Sequence, residues 1–129
     1  MSKYDMIVIG SGPGGYVAAI RASQLGMKVG VVEKAELGGI CLNWGCIPTK
    51  ALLKSANVFE YLKHAADYGI EAKDFKADLN AMVKRSRDVA GGMSKGIQFL
   101  FKKNKIDHIA GTGKLKKGGK VEVTDAAGK

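Results

Sequence analysis

Short unbroken apolar runs, punctuated by glycine, set the pattern of the first third of the chain. Met6-Ile7-Val8-Ile9 has the continuous hydrophobicity of a strand inside a parallel sheet. Gly10-Ser11-Gly12-Pro13-Gly14-Gly15 follows, and residues 16–25 then bring Val17, Ile20 and Leu25 round at helical spacing, with Gly26 as a stop. Residues 28–32 form a second apolar run that ends at Glu33 and Lys34. Strand, glycine turn, helix and strand predict a βαβ unit of about thirty residues.

Beyond residue 48 the period lengthens. Residues 49–68 carry Leu52, Ala56, Phe59, Leu62 or Lys63, and Ala66 at near-helical spacing, and Gly69 closes the segment. Residues 70–77 read as a connection, and Asp78 as the N-cap of a longer helix bearing Leu79, Met82, Val83, Val89 or Ala90, Met93, Ile97, Leu100 and Phe101. Gly91-Gly92 is expected to kink or break that helix. Residues 106–110 alternate as a strand, and Gly118-Gly119 between residues 114–116 and 121–124 is a hairpin signal, with a further turn at 126–129. Two parallel strands alone do not bury both faces of a sheet. The expected fold class is α/β, a Rossmann-like βαβ with a parallel sheet, long helices and a C-terminal hairpin, in an incomplete domain.

Composition narrows this reading only a little. The length of 129 residues suits one ordinary domain. No apolar run reaches the roughly 20 residues of a membrane span, and the Met1-Ser2-Lys3-Tyr4-Asp5 start has no signal-peptide pattern. The net charge of +9 raises nucleic acid as a partner. The lysines at 102, 103, 105, 114, 116, 117 and 120 read instead as a solvated surface, so no nucleic-acid or membrane partner is expected. The two cysteines fit a reducing compartment, the cytoplasm or a mitochondrial matrix. They are too few ligands for zinc.

Chemistry enters at two places. Gly10, Gly12 and Gly15 form G-x-G-x-x-G between a strand and a helix, and the acidic Glu33 ends the next strand, which is the context of a dinucleotide fingerprint. Free N–H groups at the helix start would meet the phosphates, and Glu33 the ribose hydroxyls. Spacing alone does not separate FAD from NAD.

The second place is Gly38-Gly39-Ile40-Cys41-Leu42-Asn43-Trp44-Gly45-Cys46-Ile47-Pro48-Thr49-Lys50. In an ideal helix the two cysteine Cα atoms would lie about 8.6 Å apart, beyond the ~7 Å that a disulfide tolerates. If the sulfurs meet, the segment is a tightened turn, with Asn43 and Gly45 the residues that tolerate it. So small a loop makes a poor staple and suits a working dithiol. A helix starting near Pro48 and the cation of Lys50 both favour a thiolate at Cys46. A dithiol beside a dinucleotide points to electrons moving between disulfide and flavin. Trp44 is expected to pack, and His64 and His108 to be surface or packing residues.

From Gly38 through Leu53 the chain closely resembles the redox-active segment of the flavin-dependent pyridine nucleotide–disulfide oxidoreductases. The Ile47-Pro48-Thr49-Lys50-Ala51-Leu52-Leu53 continuation is most similar to the members that oxidise dihydrolipoyl groups. The resemblance implies that Cys41 and Cys46 are catalytic. Cys41 would be the interchange thiol that meets the dihydrolipoyl substrate, and Cys46 the flavin-proximal thiol forming a charge-transfer pair. Cofactor-binding residues would be Gly10, Gly12, Pro13, Gly14, Gly15, Glu33, Lys34, Gly39, Cys41, Cys46, Lys50 near the flavin N5, and Gly113 by the adenine.

It further implies bound FAD, with NAD⁺ as cosubstrate in a domain not present here. It implies a homodimer in the full-length protein, served by the dihydrolipoyl domain of a 2-oxo acid dehydrogenase or glycine cleavage complex. Residues 1–129 would be the N-terminal part of the FAD-binding domain, inactive alone. Glutathione- or mercuric-reductase-like activity, or a non-catalytic flavin-binding redox module, are the alternative readings.

Overall fold

A computed structural model describes residues 2–128. Strand β1 (Met6–Ile9) leads through helix α1 (Pro13–Gln24) into strand β2 (Val29–Glu33), and the two strands pair in parallel with Met6 opposite Val29. The cysteine segment builds two helices, α2 (Gly39–Asn43) and α3 (Cys46–Lys63), followed by a 3-10 turn at Ala65–Tyr68 that Gly69 closes at φ +68°. Helix α4 (Leu79–Lys103) returns the chain to strand β3 (Asp107–Ala110), and strands β4 (Thr112–Lys116) and β5 (Lys120–Thr124) form the hairpin.

The parallel sheet therefore has three strands, in the order β1-β2-β3, where the sequence reading counted two. Residues 106–110 are the source of the third, and they flank β2 on its free side with Gly30 opposite Asp107. Every residue of β2 is buried as a result. The expected turn at 126–129 begins with the Ala127 N–H donating to Asp125 Oδ1, while Lys129 lies outside the described residues.

The helices differ from expectation in instructive ways. Val17 and Leu25 are exposed, and Ala19 and Ala22 are the α1 residues under the core. Close packing demands it: a Cβ on Gly15 would stand 2.0 Å from the Gly10 carbonyl oxygen. So tight an approach at the start of α1 leaves small side chains to face the sheet. Helix α3 starts at Cys46, two residues before Pro48, because proline is tolerated in a first turn. Its expected core stripe is only partly buried; Ala56 is exposed, and Pro48 and Ala51 are the buried positions.

Gly91-Gly92 does not break α4, which runs uninterrupted for 25 residues. Asp78 caps it as expected, its Oδ1 accepting from the Ala81 N–H at 3.0 Å. The face bearing Ala90, Ile97 and Phe101 is buried, and Ile97 and Phe101 join Val29, Val31, Leu37 and Leu42 in the core. Helix α4 is thus the platform under the cysteine segment.

Candidate functional site

The glycine-rich turn is shaped by two opposite constraints. Gly10 sits at φ +93°, and its N–H donates to the Val32 carbonyl at 2.8 Å, holding the turn to β2. Cβ atoms on Gly10, Gly12 or Gly14 would meet nothing within 4 Å, so this side is open, whereas Gly15 has no room for one. Pro13 occupies the first helical turn, where its missing N–H costs nothing.

Glu33 closes the turn from beside it. Its Oε2 accepts from both the N–H and the Oγ of Ser11, at 2.9 and 2.7 Å, and its Oε1 accepts from the Ala35 N–H at 3.0 Å. Burial acts to raise its pKa, but the hydrogen bonds from Ser11, Ala35 and Lys34 outweigh it and hold the carboxyl below the usual glutamate value. Glu33 and Lys34 line a cleft of about 240 Å³ together with Ile9, Gly10, Thr112 and Gly113. Gly113 lies against Ile9 and Val32, where a Cβ would come within 3.2 Å of either side chain.

The cysteine segment is seated directly on this turn. The Gly38 N–H donates to the Ser11 carbonyl at 3.1 Å and approaches Ser11 Oγ at 3.2 Å. Gly39 has φ +63°, and a Cβ there would lie 2.9 Å from the Gly12 Cα. The backbone of the redox segment and that of the glycine turn therefore touch with no side chain between them. Cys41 is on α2 and Cys46 opens α3, and the break between the helices brings their Cα atoms to 4.7 Å with the disulfide formed. The Trp44 and Gly45 N–H groups both donate to the Ile40 carbonyl, at 2.8 and 2.7 Å, which is the tightened turn the two sulfurs require.

Cys41 is half-buried, Cys46 and Lys50 are exposed, and Lys50 follows one turn after Cys46 on α3. Trp44 departs from its expected packing role, being 55% exposed beside Arg87 on the groove above α4. His64 is exposed next to Glu60, and His108 is exposed on β3.

Three contributors escaped the sequence reading. Ser11 was only a variable position of the fingerprint. Asn43 offers turn tolerance as a sequence signal, and in the structure its Nδ2 donates to the Leu37 and Gly39 carbonyls, both at 3.0 Å. Arg87 donates from α4 to the Asn43 carbonyl at 2.9 Å, across 44 residues, and no local pattern signals it.

Fold and site together define an α/β domain of the dinucleotide-binding kind with a redox-competent disulfide fastened to its glycine turn. The comparison with known families agrees: residues 4–128 match the pyridine nucleotide-disulphide oxidoreductases, and the chain belongs to that family. It is 58% identical over 122 residues to the dihydrolipoyl dehydrogenase of Rhizobium etli, covering 94% of this chain and 25% of that protein. It is 53% identical over 112 residues to the dihydrolipoyl dehydrogenase of Zymomonas mobilis, covering 87% and 24%. A leghemoglobin reductase of Vigna unguiculata is 50% identical over 113 residues, covering 86% and 22%. The chain spans about a quarter of the length of the curated relatives it matches. Family membership implies a flavin cofactor, and the open Cβ positions of the glycine turn beside the Glu33 cleft are the shape that a dinucleotide needs. Among the described residues, no helix is long and apolar enough to cross a membrane.

Proposed function

We propose that this chain is the N-terminal part of the FAD-binding domain of a dihydrolipoyl dehydrogenase, oxidising dihydrolipoyl groups with NAD⁺ as final acceptor. One observation carries the reading: the Cys41–Cys46 disulfide opens α3 and is seated on the glycine turn through Gly38 and Gly39. Gly10, Gly12, Pro13, Gly14 and Gly15 would hold the pyrophosphate, Glu33 and Lys34 the ribose, and Gly113 the adenine. Gly39, Lys50 and the two cysteines would face the flavin end.

A substrate thiolate attacks the Cys41 sulfur, the Cys41–Cys46 bond breaks, and Cys46 leaves as a thiolate. The start of the 18-residue α3 favours that negative charge at Cys46. The second substrate thiol loses its proton and attacks the substrate sulfur of the mixed disulfide. The lipoyl disulfide closes and Cys41 is released, so the substrate loses two electrons and two protons and the cysteine pair gains the electrons. Bound flavin supplies the two-electron acceptor that restores the disulfide.

The roles predict opposite spectra for two variants of the FAD-loaded full chain. Cys41→Ser leaves Cys46 free as a thiolate, and a long-wavelength charge-transfer band should stand without any reductant. Cys46→Ser should never show that band. The reverse pattern would exchange the two roles, and no band in either variant would reject the reading. Assays of the complete protein with dihydrolipoamide, glutathione disulfide and Hg²⁺ separate it from glutathione- and mercuric-reductase-like activity. The dihydrolipoyl domain of a 2-oxo acid dehydrogenase or glycine cleavage complex would be the partner of a homodimeric enzyme, in the cytoplasm or mitochondrial matrix.

A further inference from the structure

The two hydrogen-bonding ends of Asn43 suggest a job separate from the sulfur chemistry. Asn43 stands between the two cysteines at the end of α2, and only 9% of it is exposed. Both protons of its amide are used, on Leu37 O and Gly39 O, so the end of α2 is tied back to the first residue of the helix and to the loop before it. Its own carbonyl accepts from Arg87, which belongs to the 25-residue platform of α4. The same platform supports the other end of the segment, where a Cβ on Gly38 would meet the Ile97 side chain at 3.1 Å. None of these bonds involves sulfur.

We propose that Asn43, held by Arg87, is a positioning residue that keeps Cys41 and Cys46 facing each other after the disulfide opens. The inference rests on the reading of these cysteines as the working pair. When the sulfur–sulfur bond is reduced, only the surrounding backbone sets how often one thiol meets the other. A segment closed by its own hydrogen bonds keeps that effective concentration high. The disulfide is then easy to re-form and its reduction potential stays low. Loosening the segment lets the thiols separate and makes the pair more oxidising.

The test equilibrates the FAD-loaded full chain with oxidised and reduced dithiothreitol, then traps thiols by alkylation and counts them by mass spectrometry. In that exchange the reagent loses two electrons and two protons in closing its ring, and the cysteine pair gains both. Asn43→Asp keeps the side-chain shape, removes both N–H donors and sets a carboxylate against two carbonyls. It should lower the equilibrium constant for disulfide formation about tenfold, which is about 30 mV less negative. Arg87→Met should lower it about threefold, or about 15 mV, and Arg87→Lys should restore a value within twofold of the starting protein.

A merely structural role would lower the melting temperature of oxidised and reduced forms alike and leave the thiol equilibrium where it was. Equilibrium constants within twofold of the starting protein in both Asn43→Asp and Arg87→Met would overturn the proposal. If Asn43→Asp does not fold, Arg87→Met alone decides, with the same limit. The readout uses neither dihydrolipoamide nor NAD⁺. Loss of the dehydrogenase reading would show in substrate assays, and loss of the positioning role in thiol counting.

Discussion

Glu33 shows how one carboxylate is committed twice. Ser11 and Ala35 hold it in place, and the same group borders the cleft in which a ribose would lie. Its pKa lies below the ordinary value of 4.5, so the charged form is better held in the folded chain than in the unfolded one. That contribution is complete above pH 4.5 and is lost as pH falls through the lowered folded value. Glu33→Gln should cost about 1.5–3 kcal/mol at pH 7, the range for hydrogen bonds to a charged group. Its stability should also fall less than that of the starting protein between pH 5 and pH 3, as read from urea melts at each pH. Gly15→Ala offers a harsher check, because the added methyl would sit 2.0 Å from a backbone oxygen. A loss of folded protein is expected, whereas Gly14→Ala, with open space around it, should melt close to the starting protein.

At this scale the fingerprint positions were legible because glycine and an acidic strand end each answer a local backbone need. Ser11 was not, since its bond to Glu33 spans 22 residues and exists only once the turn and β2 are side by side. The bond from Arg87 to the Asn43 carbonyl is the same case across 44 residues.

Elements were legible where a start or stop signal was strong, as with Asp78, Gly69 and the Gly118-Gly119 hairpin. They were misread where tertiary packing overrides propensity. Each of Gly91 and Gly92 weakens a helix by roughly 0.5–1 kcal/mol relative to alanine. The burial of Ala90, Ile97 and Phe101 along one face of α4 outweighs that cost. Ile97 is 4% exposed between the sheet and the cysteine segment, so Ile97→Ala should destabilise by about 2–5 kcal/mol. Gly92→Ala should do the opposite. It is exposed, a Cβ there meets nothing within 4 Å, and about 0.5–1 kcal/mol of added stability is expected in a urea melt. A destabilised Gly92→Ala would mean that the helix needs to bend at this point after all.

At the scale of the whole molecule, one junction between the two sheets borders the cleft. Gly111 turns the chain from β3 into β4 at φ +145°, and its N–H donates to the Glu33 carbonyl at 2.9 Å. Two residues on, Gly113 rests on Ile9 and Val32 at the ends of β1 and β2. The hairpin could be foreseen from its glycines, but not its seat, because nothing local records which strand ends it crosses. Gly113→Val would force the hairpin away from Ile9 and Val32 and narrow the space beside Glu33. If Gly113 borders the adenine, FAD affinity of the full chain should fall about tenfold or more by flavin-fluorescence titration, with the thiol equilibrium of Cys41 and Cys46 unchanged. At FAD one hundred times the original dissociation constant, stabilisation by the cofactor would drop from about 2.7 to about 1.4 kcal/mol. A variant that binds FAD as tightly as the starting protein would remove Gly113 from the cofactor site and leave it a purely steric joint between the two sheets.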